Sequence, residues 1–242
     1  MVTQHALTLN TPSALKRAIV TGSSSGIGRA VVERLLGDGW QVDGIDRTPA
    51  TVVHEHFSAI SANLADADVV HSLQQRLGTP DAVVHAAGVM RTAKLGKLRE
   101  DDARLMWQLH AGAATHLADL LLPRMAEAGS GRMVLIGSRV SGGMPGRSLY
   151  AASKAALVAL ARSWAAEIVS QGVTVNVVSP AATDTAMLKH TARADTPPKP
   201  PPFGRLIQPA EVAALVAFLL SNEAAAITGQ DIAICGGASL PR

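Results

Sequence analysis

Lys16-Arg17-Ala18-Ile19-Val20-Thr21 reads as a short strand with an apolar end, and Gly22-Ser23-Ser24-Ser25-Gly26-Ile27-Gly28 follows it directly. An apolar-periodic helix then covers Ala30 to Leu36. Strand, glycine loop and helix in that order are the context of a dinucleotide-binding turn, and they commit the chain to a parallel α/β sheet. Gly22 allows the tight turn. Gly26 lets backbone approach a pyrophosphate, and Gly28 lets the helix pack close. The helix N-terminus presents free N–H groups and a positive dipole end to phosphates. The spacing is G-x-x-x-G-x-G, so the glycines alone are a weak signal and their placement between strand and helix carries the weight.

The rest of the chain keeps the alternation. Strands are predicted at 17–21, 40–45, 57–61, 81–86, 132–137, 173–178 and 231–234. Helices are predicted at 27–37, 66–77, 100–126, 149–170 and 209–221. This pattern implies a single-domain, doubly wound parallel sheet with helices on both faces. The length of 242 residues suits one domain with a full core. A dinucleotide half is expected at about 14–130 and a catalytic and substrate half at about 131–242, with no linker between them.

Two further features point to chemistry. Asp46 closes the strand after the first helix, where a carboxylate can accept hydrogen bonds from a ribose diol and would repel a 2′-phosphate. A turn or cap role is the plainer reading of a lone aspartate at a strand end. The upstream glycine turn favours the ribose. The second feature is Tyr150, the only tyrosine, with Lys154 four residues on. Residues i and i+4 share a helix face. A lysine cation beside a phenol favours the phenolate and lowers a pKa that is about 10 when free. Such a tyrosine can exchange a proton with an alcohol.

Bulk properties exclude several classes. The sequence is 48% hydrophobic with 21 glycines, so it is globular. Its one cysteine, Cys235, cannot form an internal disulfide and fits a reducing, cytoplasmic setting. Met1 to Asn10 has no apolar signal region. The longest uncharged apolar run, Val212 to Leu220, falls far short of a bilayer span, so no membrane partner is expected. A net charge of +3 is too small and scattered for nucleic acid. Arg91, Lys94, Lys97 and Arg99 form one local cluster, read as a solvated loop or as attraction for an anionic substrate or carrier. No residues are assigned to a metal.

Taken together, these residues resemble the short-chain dehydrogenase/reductase family from Arg17 to about Leu240. Thr21 to Gly28 matches its T-G-x-x-x-G-I-G turn, Ala86-Ala87-Gly88 the end of its N-N-A-G motif, and Tyr150 to Lys154 its Y-x-x-x-K motif. Asn176 to Thr185 resembles the segment holding the nicotinamide end. Phe203 to Ala213 resembles the lead into the last helix. Thr228-Gly229-Gln230 and Gly236-Gly237 match the C-terminal strand. The resemblance implies a Rossmann fold, a homotetramer, a small-molecule substrate and hydride transfer between a secondary alcohol and a ketone.

By the same resemblance Tyr150 is the general acid/base, Lys154 lowers its pKa and holds the ribose, and Ser138 steadies the substrate oxygen, with Ser141 as an alternative. The expected cofactor contacts are Gly22, Ser24, Ser25, Gly26, Ile27, Gly28, Asp46, Asn63, Leu64, Ala86, Ala87, Gly88, Tyr150, Lys154, Pro180, Thr183 and Thr185. NAD is expected over NADP, with Arg47 as the counter-argument because it can pair with a 2′-phosphate.

The sequence also departs from the family. His85-Ala86 opens the N-N-A-G motif, and His110 takes the place of the family's helix asparagine, where it is expected to hold a relay water. The Ser138–Tyr150 interval is one residue short, and Pro180-Ala181 replaces Pro-Gly. Thr196 to Phe203 (TPPKPPPF) corresponds to the family's substrate lid, with Gly204 as a possible hinge. Ser179 to Met187 is most similar to members that oxidise cyclic dihydrodiols. The other candidates are an NADPH-dependent 3-oxoacyl carrier-protein reductase and a catalytically idle dinucleotide-binding module.

Overall fold

The computed structural model describes residues 15–189 and 199–241. Expectations for Met1 to Asn10 and for Thr196 to Pro198 lie outside these residues. Seven strands form one parallel sheet in the order β3-β2-β1-β4-β5-β6-β7. They are β1 (Arg17–Thr21), β2 (Gln41–Asp46), β3 (Phe57–Ser61), β4 (Ala82–His85), β5 (Gly131–Ile136), β6 (Val173–Pro180) and β7 (Asp231–Ile234). The chain winds outward from β1 in both directions, so the strand order reverses between β1 and β4. A crevice opens there beyond the carboxyl ends of the strands.

Period-two alternation in the central strands sorts side chains onto two cores. Ala18, Val20, Val134 and Ile136 face α1 (Gly26–Gly37) and α8 (Pro209–Leu220). Ile19, Met133 and Leu135 face the opposite layer. That layer is α2 (Ala67–Ser72), α3 (Gln74–Leu77), α4 (Glu100–Trp107), α5 (Ala113–Glu127) and α6 (Ser148–Ile168). Burying one such Leu or Ile contributes roughly 1.5–3 kcal/mol. Both faces of the sheet being covered explains why inner strands such as β4 and β6 are buried along their whole length. A short α7 (Ala186–Lys189) lies beyond β6.

Two expected helices are interrupted. The helix expected at 66–77 breaks at Leu73, whose N–H bonds to Val70 O at 3.1 Å, a three-residue closure that tightens the turn. The helix expected at 100–126 contains a π-helical turn at Gln108–Gly112. Such insertions recur at functional sites because an extra residue re-aims side chains. This one carries His110, which is 0% exposed. A 3-10 turn, Arg139–Gly142, also follows β5.

Glycines in and beside the first Rossmann unit serve opposite ends. A Cβ on Gly44, in β2, would lie 2.6 Å from the Phe57 ring and 2.7 Å from Ser23 Oγ in the cofactor turn. Gly37, the last residue of α1, would meet nothing within 4 Å and has no positive φ. Gly44→Ala is therefore expected to destabilise by about 1–3 kcal/mol, and Gly37→Ala to stabilise by about 0.5–1 kcal/mol. Urea melts of the two variants check both signs.

Candidate active site

The crevice above β1 and β4 is a cavity of about 700 Å³. Its floor at one end is the glycine turn. Gly22 has φ +68°, and a Cβ there would lie 2.9 Å from Ala87 Cα, so the turn and the Ala86–Gly88 crossing pack backbone to backbone. Gly26 has φ +55°, and a Cβ there would close to 3.3 Å on Thr185 Cγ2, narrowing the crevice. A Cβ at Gly28 would collide with the Gly22 carbonyl, so Gly28 lets α1 start tight against its own loop.

Thr21 ties this end together. Its Oγ1 accepts from Ala86 N at 3.1 Å and from Ala87 N at 3.0 Å. With those lone pairs filled, its hydroxyl donates to His85 Nδ1 at 3.0 Å. His85 Nε2–H then donates to Leu109 O at 3.1 Å, a tautomer assigned from these partners. Asp46 stands at the cavity rim. It accepts from Ser24 N at 3.0 Å, from Thr48 N at 2.9 Å and from Thr48 Oγ1 at 2.8 Å. A carboxylate offers about four acceptor positions, so capacity remains.

At the other end, Ser138, Tyr150 and Lys154 line the same cavity. Ser138 stands two residues past β5, after Gly137, and caps the 3-10 turn. A Cβ on Gly137 would lie 2.6 Å from Ser179 Oγ, so β5 and β6 close up there. Ser138 Oγ accepts from Val140 N at 3.4 Å, which leaves its proton to donate elsewhere. Lys154 Nζ lies 5.9 Å from the Tyr150 ring centroid and donates to Ile136 O at 2.7 Å. Burial lowers the Lys154 pKa to about 7. Ser141 is not among the cavity-lining residues.

A family model described as enoyl-(acyl carrier protein) reductase matches residues 22–239. A 3-oxoacyl-(acyl-carrier-protein) reductase of Salmonella typhimurium is 34% identical over 236 residues, covering 92% of this chain and 96% of that protein. A reductase of the same name from Thermotoga maritima is 31% identical over 239 residues, covering 92% and 97%. Among solved structures, a short chain dehydrogenase/reductase family protein superposes with TM-score 0.86 at 30% identity, covering 93% and 98%. Ligand-free aldohexose dehydrogenase of Thermoplasma acidophilum superposes with TM-score 0.85 at 26% identity, covering 94% and 95%. The chain belongs to the short-chain dehydrogenase/reductase family.

It is therefore an oxidoreductase acting on CH–OH groups, of a family that binds a nicotinamide dinucleotide. The residues fit that group: the turn is open where a methyl at Gly26 would narrow it, and a carboxylate stands at the rim. Ser25, Ile27, Asn63, Leu64, Gly88, Pro180 and Thr183 also line this cavity. Ser24 does not. Its N–H goes to Asp46, its Oγ donates to Thr48 O at 3.1 Å, and its carbonyl accepts from Thr51 Oγ1 at 2.9 Å. Ser24 braces the loop from behind, with its polar groups spent on protein.

His110 needs a second correction. Its Nε2 accepts from Val89 N at 3.1 Å, so its proton sits on Nδ1, which donates to Ser153 Oγ at 2.9 Å. Ser153 Oγ donates onward to Tyr150 O at 2.9 Å. A neutral imidazole has one donor and one acceptor, and both are taken, so no nitrogen remains for a relay water. Burial and the Lys154 charge hold its pKa well below 6.5, so the expected titration near that value is also displaced. The ring instead meets Tyr150 edge-on, with centroids 5.6 Å apart. Of the Arg91–Arg99 cluster, Arg91 and Arg99 both face Asp102, at 3.6 and 3.8 Å, and none of the four cations lines the cavity. The sequence reading missed Arg139, Met144, Arg147 and Met187 on the cavity wall. The shortened Ser138–Tyr150 interval was the one signal that this loop is unusual.

Burial, and then the Lys154 charge, lower the His85 pKa to about 4. Between pH 6.5 and about 4 the unfolded chain binds a proton there that the folded chain refuses. Stability therefore falls as pH drops through that window. His85→Asn is expected to reduce the loss. Urea midpoints of wild type and variant at the two ends of the window test this, and an equal loss in both would count against it.

Proposed function

We infer that the chain interconverts a 3-oxoacyl compound and its 3-hydroxy form by hydride transfer with a nicotinamide dinucleotide, NAD(H) in preference to NADP(H). One observation carries this: Ser138, Tyr150 and Lys154 converge at one end of a single cavity whose other end is the glycine turn with Asp46. The names of the curated relatives support the 3-oxoacyl class. Ser138 donates its free proton to the substrate oxygen and steadies developing charge. Tyr150 passes the proton to or from that oxygen. Lys154 supplies positive charge behind the phenol and reaches the ribose. The bound nicotinamide supplies or takes the hydride. Asp46 accepts from the ribose diol and disfavours a 2′-phosphate. His110 acts as a positioning residue that fixes Tyr150 through Ser153.

A second reading, an NAD(H)-dependent dehydrogenase of a cyclic diol or hydroxy acid, is favoured by Asp46 and by the cations on the cavity wall. An idle binding module is disfavoured because the proton-transfer set is complete. A homo-oligomer, most simply a tetramer, accounts for apolar surface on the long helices. Trp107 is 54% exposed, and Leu160 and Trp164 of α6 are only partly covered.

Tyr150→Phe should lower kcat by about 100-fold or more, since a general acid/base contributes on that scale. NADH affinity should stay nearly constant. Substantial residual turnover would remove Tyr150 from the mechanism. NADH should bind more tightly than NADPH, and Asp46→Ala should narrow the difference. Calorimetric titration of both cofactors decides this, and tighter NADPH binding in wild type would refute the assignment. Light scattering at micromolar concentration should give a multiple of the 25.0 kDa chain mass.

A further inference from the structure

Two arginines at the reacting end belong neither to the cofactor turn nor to the proton-transfer set. Arg139 follows Ser138 directly and opens the 3-10 turn. Arg147 immediately precedes α6 and lies one helical turn before Tyr150. Both line the same cavity as Ser138 and Tyr150, and both are partly buried. Arg139 Nη1 donates to Ala238 O at 3.2 Å, which ties it to the C-terminal segment across the cavity wall. Arg147 Nε is buried without a hydrogen-bond partner.

Seven arginines among the described residues find carboxylates, as Arg17 does with Asp43 and Arg205 with Glu211, whereas Arg124 and Arg132, away from the cavity, bond backbone carbonyls. Among the described residues neither Arg139 nor Arg147 has one within ion-pair distance. Among the described residues the only carboxylate on the cavity wall is Asp46. Burial lowers the Arg147 pKa, Tyr150 opposes that shift, and Arg139 adds to it. Arg147 is thus within electrostatic reach of both the phenol and the second guanidinium. Two like charges and a buried unpaired N–H are costly to hold together unless an anion sits against them.

We propose that Arg139 and Arg147 form an anion subsite for a carboxylate carried by the substrate itself, close to the carbon that reacts at Tyr150. Within the 3-oxoacyl class, the enzyme then acts on a short 3-oxo or 3-hydroxy acid in free form rather than on a carrier thioester. This rests on the reading of Ser138 and Tyr150 as the reacting end. A guanidinium presents a planar fork that matches a carboxylate and keeps its charge when partly buried. A thioester is uncharged beside its keto group. The phosphate of a pantetheine arm lies many bonds away, too far to serve a cation coupled to Tyr150.

The test compares acetoacetate with its methyl ester and with acetoacetyl-N-acetylcysteamine, using the NADH-loaded enzyme. The wild type should favour acid over ester in kcat/KM by about thirtyfold, the scale of one charge-assisted hydrogen bond. In Arg139→Gln and Arg147→Gln that ratio should collapse towards one, mainly through KM. Arg147→Lys, which keeps the charge, should restore part of it. Calorimetry of acetoacetate binding is read alongside, so a chain without turnover still reports. An acid-to-ester ratio near one in wild type, a preferred thioester, a ratio unchanged in the Gln variants, or no binding of the acid overturns the proposal. If an acid binds and depends on the arginines but no carbonyl is reduced, the reaction reading falls while the subsite stands.

Discussion

The hydroxyl of Thr21 joins the two halves of the sheet at the point where the strand order reverses. It closes β1, accepts the Ala86 and Ala87 N–H groups beyond β4, and donates to His85. These are buried polar groups, and leaving one unsatisfied costs about 1–3 kcal/mol. The hydroxyl therefore does more than fill space. It holds the Ala86–Ala87 backbone so close to Gly22 that no side chain fits between them. The cofactor turn and the wall that faces the reacting end are thereby fixed to each other rather than each to its own strand.

From His85 the same network reaches the chemistry. His85 bonds to the carbonyl of Leu109, the neighbour of His110, and His110 bonds to Val89 N and Ser153, which caps onto the Tyr150 carbonyl. The two histidines that depart from the family pattern are thus successive stations in one buried chain. Each uses its one donor and one acceptor, so the ring tautomers are set by neighbours. His110 lies within the π turn at Gln108–Gly112 and is fully buried there. Protonating either ring would leave a backbone or hydroxyl donor facing another donor, and burial beside Lys154 opposes it as well. Neither histidine therefore adds a cation beside Lys154.

Much of this was legible in the sequence. The seven strands fall within a residue or two of their expected places, the inner ones because burial on both faces makes them apolar runs. The Tyr150/Lys154 pair was legible because helical spacing alone puts both on one face. Ser24 and His110 were misjudged for a shared reason. A motif position says that a residue stands near a ligand, but only the partners of its polar atoms say whether any capacity is left for that ligand. The π turn left no mark, since Gln108 to Gly112 suits an ordinary helix equally well. Arg139 and Arg147 were passed over because the loop between Ser138 and Tyr150 matched no pattern, and a guanidinium's direction cannot be inferred from a loop of unknown shape.

The cations at the reacting end divide their work by how each responds to burial. An ammonium is a compact, strongly hydrated charge, so the loss of water around Lys154 moves its pKa from 10.5 to about 7. Near neutral pH it is poised between charge states, and an anion or phenolate nearby draws it towards the charged one. That makes lysine a suitable neighbour for a group that itself gains and loses a proton. A guanidinium spreads its charge over a plane and stays protonated at any working pH, even where burial lowers its pKa, as at Arg147. It is unsuited to follow a proton but suited to hold a fixed anion. On the proposed reading, giving the titrating cation to the phenol and the permanent cations to a substrate carboxylate would let proton transfer and anion recognition proceed without exchanging charge.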